Sequence, residues 1–303
     1  MPYGLDIGGT KIATTVFDHR FQSCSTERVS TPTEDYSAFL DAVKQSVEEA
    51  GRRYQCKGTV GIGIPGAKHP KTQQWHISNI PAAHNRPLKT DLEHALQRPV
   101  QLENDGRCFT LSEATGGAGG GYERVFGVIM GTGVGGSLCI QKKLYEGAQG
   151  VAGEWGHTAL SARILQKYQF PLLDCGCGLS GCVEQYIAGP GLSRLYRFFG
   201  GDDLSAPDIV ECYRQGEFRA QQAFDALVDT AASAMSHLVL TIDPDVIVIG
   251  GGLSQVPELF EQLPDAMSSY LFGQLQAPLI ASPEFGDDSG VRGAAILGAQ
   301  QTQ

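Results

Sequence analysis

The chain has 303 residues, 42% hydrophobic and 18% charged, with a formal net charge of −10. That length exceeds one small core and favours two lobes. The acidic balance argues against a surface built for nucleic acid or an anionic membrane. No basic leader opens the chain and no apolar run approaches the ~20 residues of a membrane helix, so a cytoplasmic protein is expected.

Tyr3–Ile7 and Lys11–Phe17 read as strands joined by a tight turn at Gly8-Gly9-Thr10. Between Asp35 and Tyr54, Phe39, Leu40, Val43, Val47 and Ala50 recur at helical spacing. Thr59–Ile64 predicts a buried strand ended by Pro65-Gly66, Leu88–Leu96 a helix, Val100–Glu103 a strand and Cys108–Ala114 part of another helix. The glycine-rich Thr115–Gly121 reads as a hinge or lobe boundary. The opening pattern then restarts, with a strand at Val125–Met130, a glycine turn at Gly131–Gly136 and a strand at Ser137–Gln141. Phe218–Ile242 is a long helix, Val246–Ile249 an apolar strand, and Pro257–Leu271 and Val291–Gln300 are helices. Such alternation indicates an α/β fold with mixed sheets.

Three glycine clusters sit at strand ends. In the first, the N–H groups of Gly8 and Gly9, with Thr10 and Lys11 as further donors beside Asp6, either ring a phosphate or form an ordinary hairpin turn. The second, Gly131-Thr132-Gly133-Val134-Gly135-Gly136, matches G-x-G-x-x-G. A dinucleotide fingerprint, however, needs a helix opening at its third glycine, and a strand follows here, which suits a phosphate clamp better. The third, Gly250-Gly251-Gly252, is either a strand-to-helix loop or a close approach to an adenosine. Together they favour a nucleotide held between lobes. Their spacing resembles the hexokinase–actin superfamily, which implies an α/β, actin-like (ribonuclease H-like) ATPase fold with two lobes around a central cleft and ATP as ligand. On that reading, residues 1–115 with the C-terminal helix 291–303 form a small lobe and 116–290 a large one.

Of eight cysteines, Cys24, Cys56, Cys108, Cys139 and Cys212 are scattered and read as small buried side chains in a reduced chain. The others form Cys175-Gly-Cys177-Gly-Leu-Ser-Gly-Cys182. A disulfide between Cys175 and Cys177 closes a strained loop, so metal is the better account. Three thiolates and one imidazole are a common structural zinc set, and His157 is the nearest upstream histidine. Leu102-Glu-Asn104-Asp105 places polar residues just beyond a strand, where they serve either as a site or as a helix N-cap.

Glu154-x-Gly-His157 followed by C-x-C-G-x-x-G-C-x-E, ending at Glu184, resembles the signature of the ROK (repressor, open reading frame, kinase) family. The likeness runs from Asp6-Ile-Gly-Gly-Thr to Arg292-Gly-Ala-Ala. It implies a sugar kinase in which Asp105 is the base and Asp6 positions Mg²⁺ or the transferring group. Gly66, Asn79, Asn104, Asp105, Glu154, His157 and Glu184 are then the sugar-binding residues, and structural Zn²⁺ sits on His157, Cys175, Cys177 and Cys182. Within the family the chain resembles the bacterial N-acetyl-D-glucosamine kinases through Tyr36–Ala42, Cys56–Gly66, Ile77–Ala83 and Phe170-Pro-Leu. Gly106, where alanine is usual, and Thr115–Gly121 depart from that pattern. Glucokinase, fructokinase and N-acetylmannosamine kinase share the apparatus, and a non-catalytic sugar sensor is a further alternative. A DNA-reading repressor needs a helix-turn-helix, and only five residues precede Asp6. The expected partners are a small sugar and, as in many members, a second copy in a homodimer.

Overall fold

The computed structural model describes residues 1–77 and 79–300. Ser78 and the last three positions of the expected 291–303 helix lie outside the described residues. In chain order the strands are β1 Tyr3–Ile7, β2 Lys11–Phe17, β3 Ser23–Ser30, β4 Val60–Ile64, β5 Ala67–Lys68, β6 Trp75–His76, β7 Val100–Asn104, β8 Arg124–Met130, β9 Val134–Ile140, β10 Lys143–Tyr145, β11 Val246–Gly250 and β12 Leu279–Ala281. The α-helices are α1 Tyr36–Tyr54, α2 Leu88–Leu96, α3 Asp105–Ala114, α4 Ala162–Tyr168, α5 Glu184–Ile187, α6 Gly189–Phe198, α7 Ala206–Arg214, α8 Phe218–Ile242, α9 Pro257–Ser268 and α10 Ser289–Gln300.

The chain divides into two units. The first takes Met1–Gly120, Lys142–Ala152 and the chain from Glu284 onward; the second takes Gly121–Gln141 and Gly153–Pro283. Side chains of α3 account for two segments that the expected division assigned elsewhere. Arg107 donates to the carbonyls of Gly150 and Ala152 at 2.7 and 3.3 Å, and Glu113 accepts from the N–H groups of Glu284 and Phe285 at 3.0 and 3.2 Å.

The first unit's sheet has the order β3-β2-β1-β4-β7, antiparallel through the β1–β2–β3 meander and parallel from β1 to β4 to β7. β4, Val-Gly-Ile-Gly-Ile, is buried along its whole length, as a central parallel strand covered on both faces requires. α1 starts where Asp35 accepts from the Ala38 N–H at 2.9 Å and ends at Gln55 in the left-handed region. Its stripe of Phe39, Val43, Val47 and Ala50 is buried against Leu5, Ile62 and Leu92 in one core. Each of the larger three contributes about 1.5–3 kcal/mol by leaving water. α10 lies so close to the strands that a Cβ on Gly61 would stand 1.7 Å from the Ala294 carbonyl oxygen, so only glycine fits there.

The second unit repeats the plan. Its strands are ordered β9-β8-β11-β12, with an antiparallel β8–β9 hairpin and parallel pairing from β8 to β11 to β12. β11, Val-Ile-Val-Ile-Gly, is wholly buried. α8 is capped by Glu217, which accepts from the N–H groups of Arg219 and Ala220. It buries an alanine-rich face with Phe224, Leu227 and Met235 against Phe126, Ile249 and Leu263.

Three expectations need correction. β9 begins at Val134, not Ser137, because Gly135 and Gly136 pair with Ile129 and Val128; the glycine turn is therefore only Gly131–Gly133. α9 stops at Ser268, and Tyr270 turns its hydroxyl back to Asp229 at 2.7 Å. Cys24, in the edge strand β3, is exposed.

Candidate active site

In the first unit, Asp6 stands near the end of β1 and the chain turns through Gly8, Gly9 and Thr10 before Lys11 opens β2. The Gly8 N–H donates to the Lys11 carbonyl at 2.9 Å. Thr31 closes the turn from outside, its hydroxyl donating to the Gly8 carbonyl at 2.7 Å and its N–H to that of Thr10 at 3.1 Å. Among the described residues, no protein acceptor takes the N–H groups of Gly9 and Thr10. Gly9 adjoins the exposed Asn79, whose carbonyl oxygen would be 2.9 Å from a Cβ at position 9.

Asn104 and Asp105 divide the two roles open to them. Asn104 is the cap of α3, its Oδ1 accepting from the Arg107 N–H at 3.2 Å, while its Nδ2 donates to the Gly66 carbonyl at 3.0 Å. Gly66 itself has φ +108°, in the left-handed region. Asp105 is the first helical residue, with Oδ1 accepting from the Gly106 N–H at 2.8 Å. Desolvation raises its pKa above the usual carboxylate range, opposed by that N–H. Asp6 is shifted further, to about 6, first by desolvation and then by the charge of Asp105, with Lys11 pulling the other way. The charge of Asp105 is therefore felt at Asp6.

In the second unit, Gly131–Gly133 turns between β8 and β9. The Gly131 N–H donates to the Gly133 carbonyl at 3.0 Å, and the Val134 N–H donates to Glu184 Oε2 at 2.8 Å. Here too, among the described residues, two successive N–H groups, those of Thr132 and Gly133, have no protein acceptor. Each hairpin so presents a pair of free donors, the equipment of an anion-binding turn. Gly250 completes β11, and Gly251, at φ +83°, brings the loop so near that a Cβ would stand 2.6 Å from the Met130 carbonyl oxygen. Gly131, Thr132 and Gly252 line a cavity of about 740 Å³ with Arg194, Ala206 and Val256, a size that takes a nucleoside.

His157, Cys175, Cys177 and Cys182 also converge in this unit, their ligand atoms all within 4.8 Å of one another. Cys175 Sγ is 3.6 Å from His157 Nδ1, and Cys177 Sγ is 3.6 Å from Cys182 Sγ. A tetrahedral ion with metal–sulfur bonds of ~2.3 Å spaces its ligands ~3.8 Å apart, so the donor set fits. Burial and the neighbouring thiols push the Cys182 thiol up to about 12, while the Leu179 backbone pulls Cys177 down. Protons crowded in this way are what a divalent cation displaces. Glu154 is exposed at the head of this segment, and Cys175 Sγ lies 3.6 Å from Glu184 Oε1.

Residues 2–301 match the ROK family. The chain belongs to the ROK family. It is 46% identical to an N-acetylgalactosamine kinase of Shewanella sp. (strain ANA-3), covering 98% of this chain and 96% of that one. It is 43% identical to an N-acetyl-D-glucosamine kinase of Shigella flexneri serotype 5b, covering 98% and 99%. A ROK hexokinase from Thermus thermophilus superposes with a TM-score of 0.88 at 30% identity, covering 99% and 98%. The ROK chain thus has the actin-like ATPase fold. Among its described residues no helix is long and apolar enough to cross a membrane.

Part of this ROK site escaped sequence reading. α6 and α7, which supply Ser193, Arg194, Ala206 and Val210 to the cavity, were not foreseen, although Gly189-Pro190 and Ala206-Pro207 place proline where helices start. Trp155 was passed over as the spacer in Glu154-Trp-Gly-His157; its indole N–H donates to the Gly135 carbonyl at 2.8 Å.

Proposed function

We propose that this ROK protein transfers the γ-phosphoryl group of ATP to the 6-hydroxyl of N-acetyl-D-glucosamine, giving N-acetyl-D-glucosamine 6-phosphate and ADP. The observation that carries the reading is the full-length likeness, at 43% identity, to an N-acetyl-D-glucosamine kinase. Phosphoryl transfer asks of a protein mainly alignment, charge neutralisation and one proton acceptor. Asp105, with one oxygen occupied only by its neighbour's N–H, takes the proton from the 6-hydroxyl as that oxygen attacks phosphorus and the bond to the ADP oxygen breaks. Its raised pKa makes it a better base than a solvated aspartate.

The paired N–H groups of Gly9 and Thr10, and of Thr132 and Gly133, with Lys11, are the donors for phosphate oxygens. The cavity beside Gly252 accepts the adenosine. Mg²⁺ arriving with ATP neutralises phosphate charge and would be held at Asp6. Gly66, Asn79, Asn104, Glu154, His157 and Glu184 address the sugar; Asn104 keeps one amide hydrogen beyond the one given to Gly66. The Cys175–Cys177–Cys182–His157 set fits a structural zinc, and a metal on Nδ1 fixes the imidazole tautomer so that Nε2–H is a positioned donor.

A second reading, phosphorylation of N-acetylgalactosamine, is favoured by the relative at 46% identity. The two sugars differ only in configuration at carbon 4, a distinction made by a few pocket contacts. ADP release with Mg-ATP is measured against N-acetylglucosamine, N-acetylgalactosamine, N-acetylmannosamine, glucose and fructose. Preference for N-acetylglucosamine supports the first reading and preference for N-acetylgalactosamine the second. No turnover with any sugar overturns both.

A further inference from the structure

The segments that carry the metal ligands also hold the β8–β9 hairpin, and they do so at three of its residues. Trp155, two residues before His157, is 4% exposed and donates its indole N–H to the Gly135 carbonyl at 2.8 Å. Glu184, two residues after Cys182, accepts from the Val134 N–H at 2.8 Å. Gly189, where α6 begins, donates its N–H to the Gly131 carbonyl at 2.7 Å. The hairpin sequence Gly-Thr-Gly-Val-Gly-Gly has four glycines in six residues, so it forfeits more backbone freedom on being fixed than almost any other sequence would. Its own turn supplies one hydrogen bond, from Gly131 N–H to the Gly133 carbonyl. The bond to the Gly131 carbonyl holds the peptide unit that carries the Thr132 N–H, and the bonds at Val134 and Gly135 hold the chain just beyond the Gly133 N–H. They therefore set the direction in which those donors point.

We propose that the metal centre governs binding of the phosphate donor, by fixing the segments around Trp155 and Glu184 that hold the hairpin in its anion-binding shape. Trp155 and Glu184 are positioning residues in this scheme, since they act on the donor through Val134 and Gly135. The inference rests on the reading of this hairpin as a phosphate site. Without the metal, the three thiols and His157 no longer constrain the loop between 154 and 189, and the hairpin samples shapes that do not present both N–H groups together. Linkage makes the coupling reciprocal: if the metal strengthens nucleotide binding, nucleotide strengthens metal binding by the same factor.

That reciprocity permits a test on the unaltered, zinc-loaded chain. Zinc is partitioned at equilibrium between the protein and a chromogenic chelator of known affinity, with and without saturating ADP. ADP binding to the loaded protein is measured separately by calorimetry. The expected result is that ADP tightens zinc retention at least fivefold. Trp155→Phe, which removes one buried donor and keeps an aromatic ring, should weaken ADP binding about two- to tenfold and diminish the ADP effect on zinc, with KM for the sugar little changed. Equal zinc retention with and without ADP overturns the proposal, as does a Trp155→Phe protein that binds ADP like wild type. Failure of the unaltered protein to bind ADP at all overturns the phosphate-site reading itself, an outcome the calorimetry alone identifies.

Discussion

Replacing Asp6 by asparagine separates what the carboxylate does for catalysis from what it does to stability. Burial and the nearby Asp105 raise the Asp6 carboxyl from 3.8 to about 6. In the unfolded chain it ionises near its ordinary value, so between pH ~4 and ~6 the native state binds the extra proton. Stability due to this group is fully present below about pH 4 and is lost as pH rises through 6. The displacement corresponds to about 3 kcal/mol at neutral pH; relaxation and residual hydration reduce it to about 1–3 kcal/mol. The asparagine amide has nearly the shape of the carboxylate and cannot ionise. Denaturant unfolding of the ligand-free protein, followed by circular dichroism, should find Asp6→Asn more stable by that amount at pH 7.5 and equal to wild type at pH 4. Its kinase activity should be at least about 100-fold down, and wild-type activity should decline below about pH 6 as Asp6 takes up its proton. Equal stability at pH 7.5, or an advantage that persists at pH 4, would refute the electrostatic account.

Three other perturbations follow from the site and its supports. Asp105→Asn should lower kcat by at least about 100-fold and leave sugar affinity, read by calorimetry, within a few-fold of wild type. Metal analysis of the purified protein should find one zinc per chain, and Cys182→Ser should lose most of it with a clear fall in thermal stability, because structural zinc supplies ~10–16 kcal/mol of apparent binding free energy. Glu113 is fully buried and accepts from the Ala118, Glu284 and Phe285 N–H groups and from the Ser289 hydroxyl. Glu113→Ala strands these four donors and should cost about 3–5 kcal/mol in denaturant unfolding.

What could be read from the sequence was set by how strongly each signal is local. β1, β2, α2 and α8 have their expected limits because apolar periodicity and flanking turns define them without help from other segments. The convergence of Cys175, Cys177 and Cys182 was legible because thiol spacing within eight residues is itself a geometric constraint. Glycine misled in the second hairpin. Gly135 and Gly136 look like turn residues but sit in β9, where a backbone ladder with Ile129 and Val128 outweighs their low strand propensity. Asn104 and Asp105 are equally good caps by type, and only the folded helix shows which one caps and which is left free. Trp155 carries no local signal for its role, since its acceptor on Gly135 lies 20 residues away.

The close seat of α10 on β1 and β4 also has a consequence for how the molecule is made. Gly61 meets Ala294 across more than two hundred residues of intervening chain, so the first unit's strands emerge from the ribosome long before the helix that covers them. Most of the second unit is drawn from one unbroken stretch, 153–283, and can gather its core while synthesis continues. The first sheet must wait with one flank of β4 bare until α10 is released. Loss of α10 would therefore strip a core formed by the first hundred residues, and a ribosome stalled just short of it would hold a half-built sheet open to chaperones.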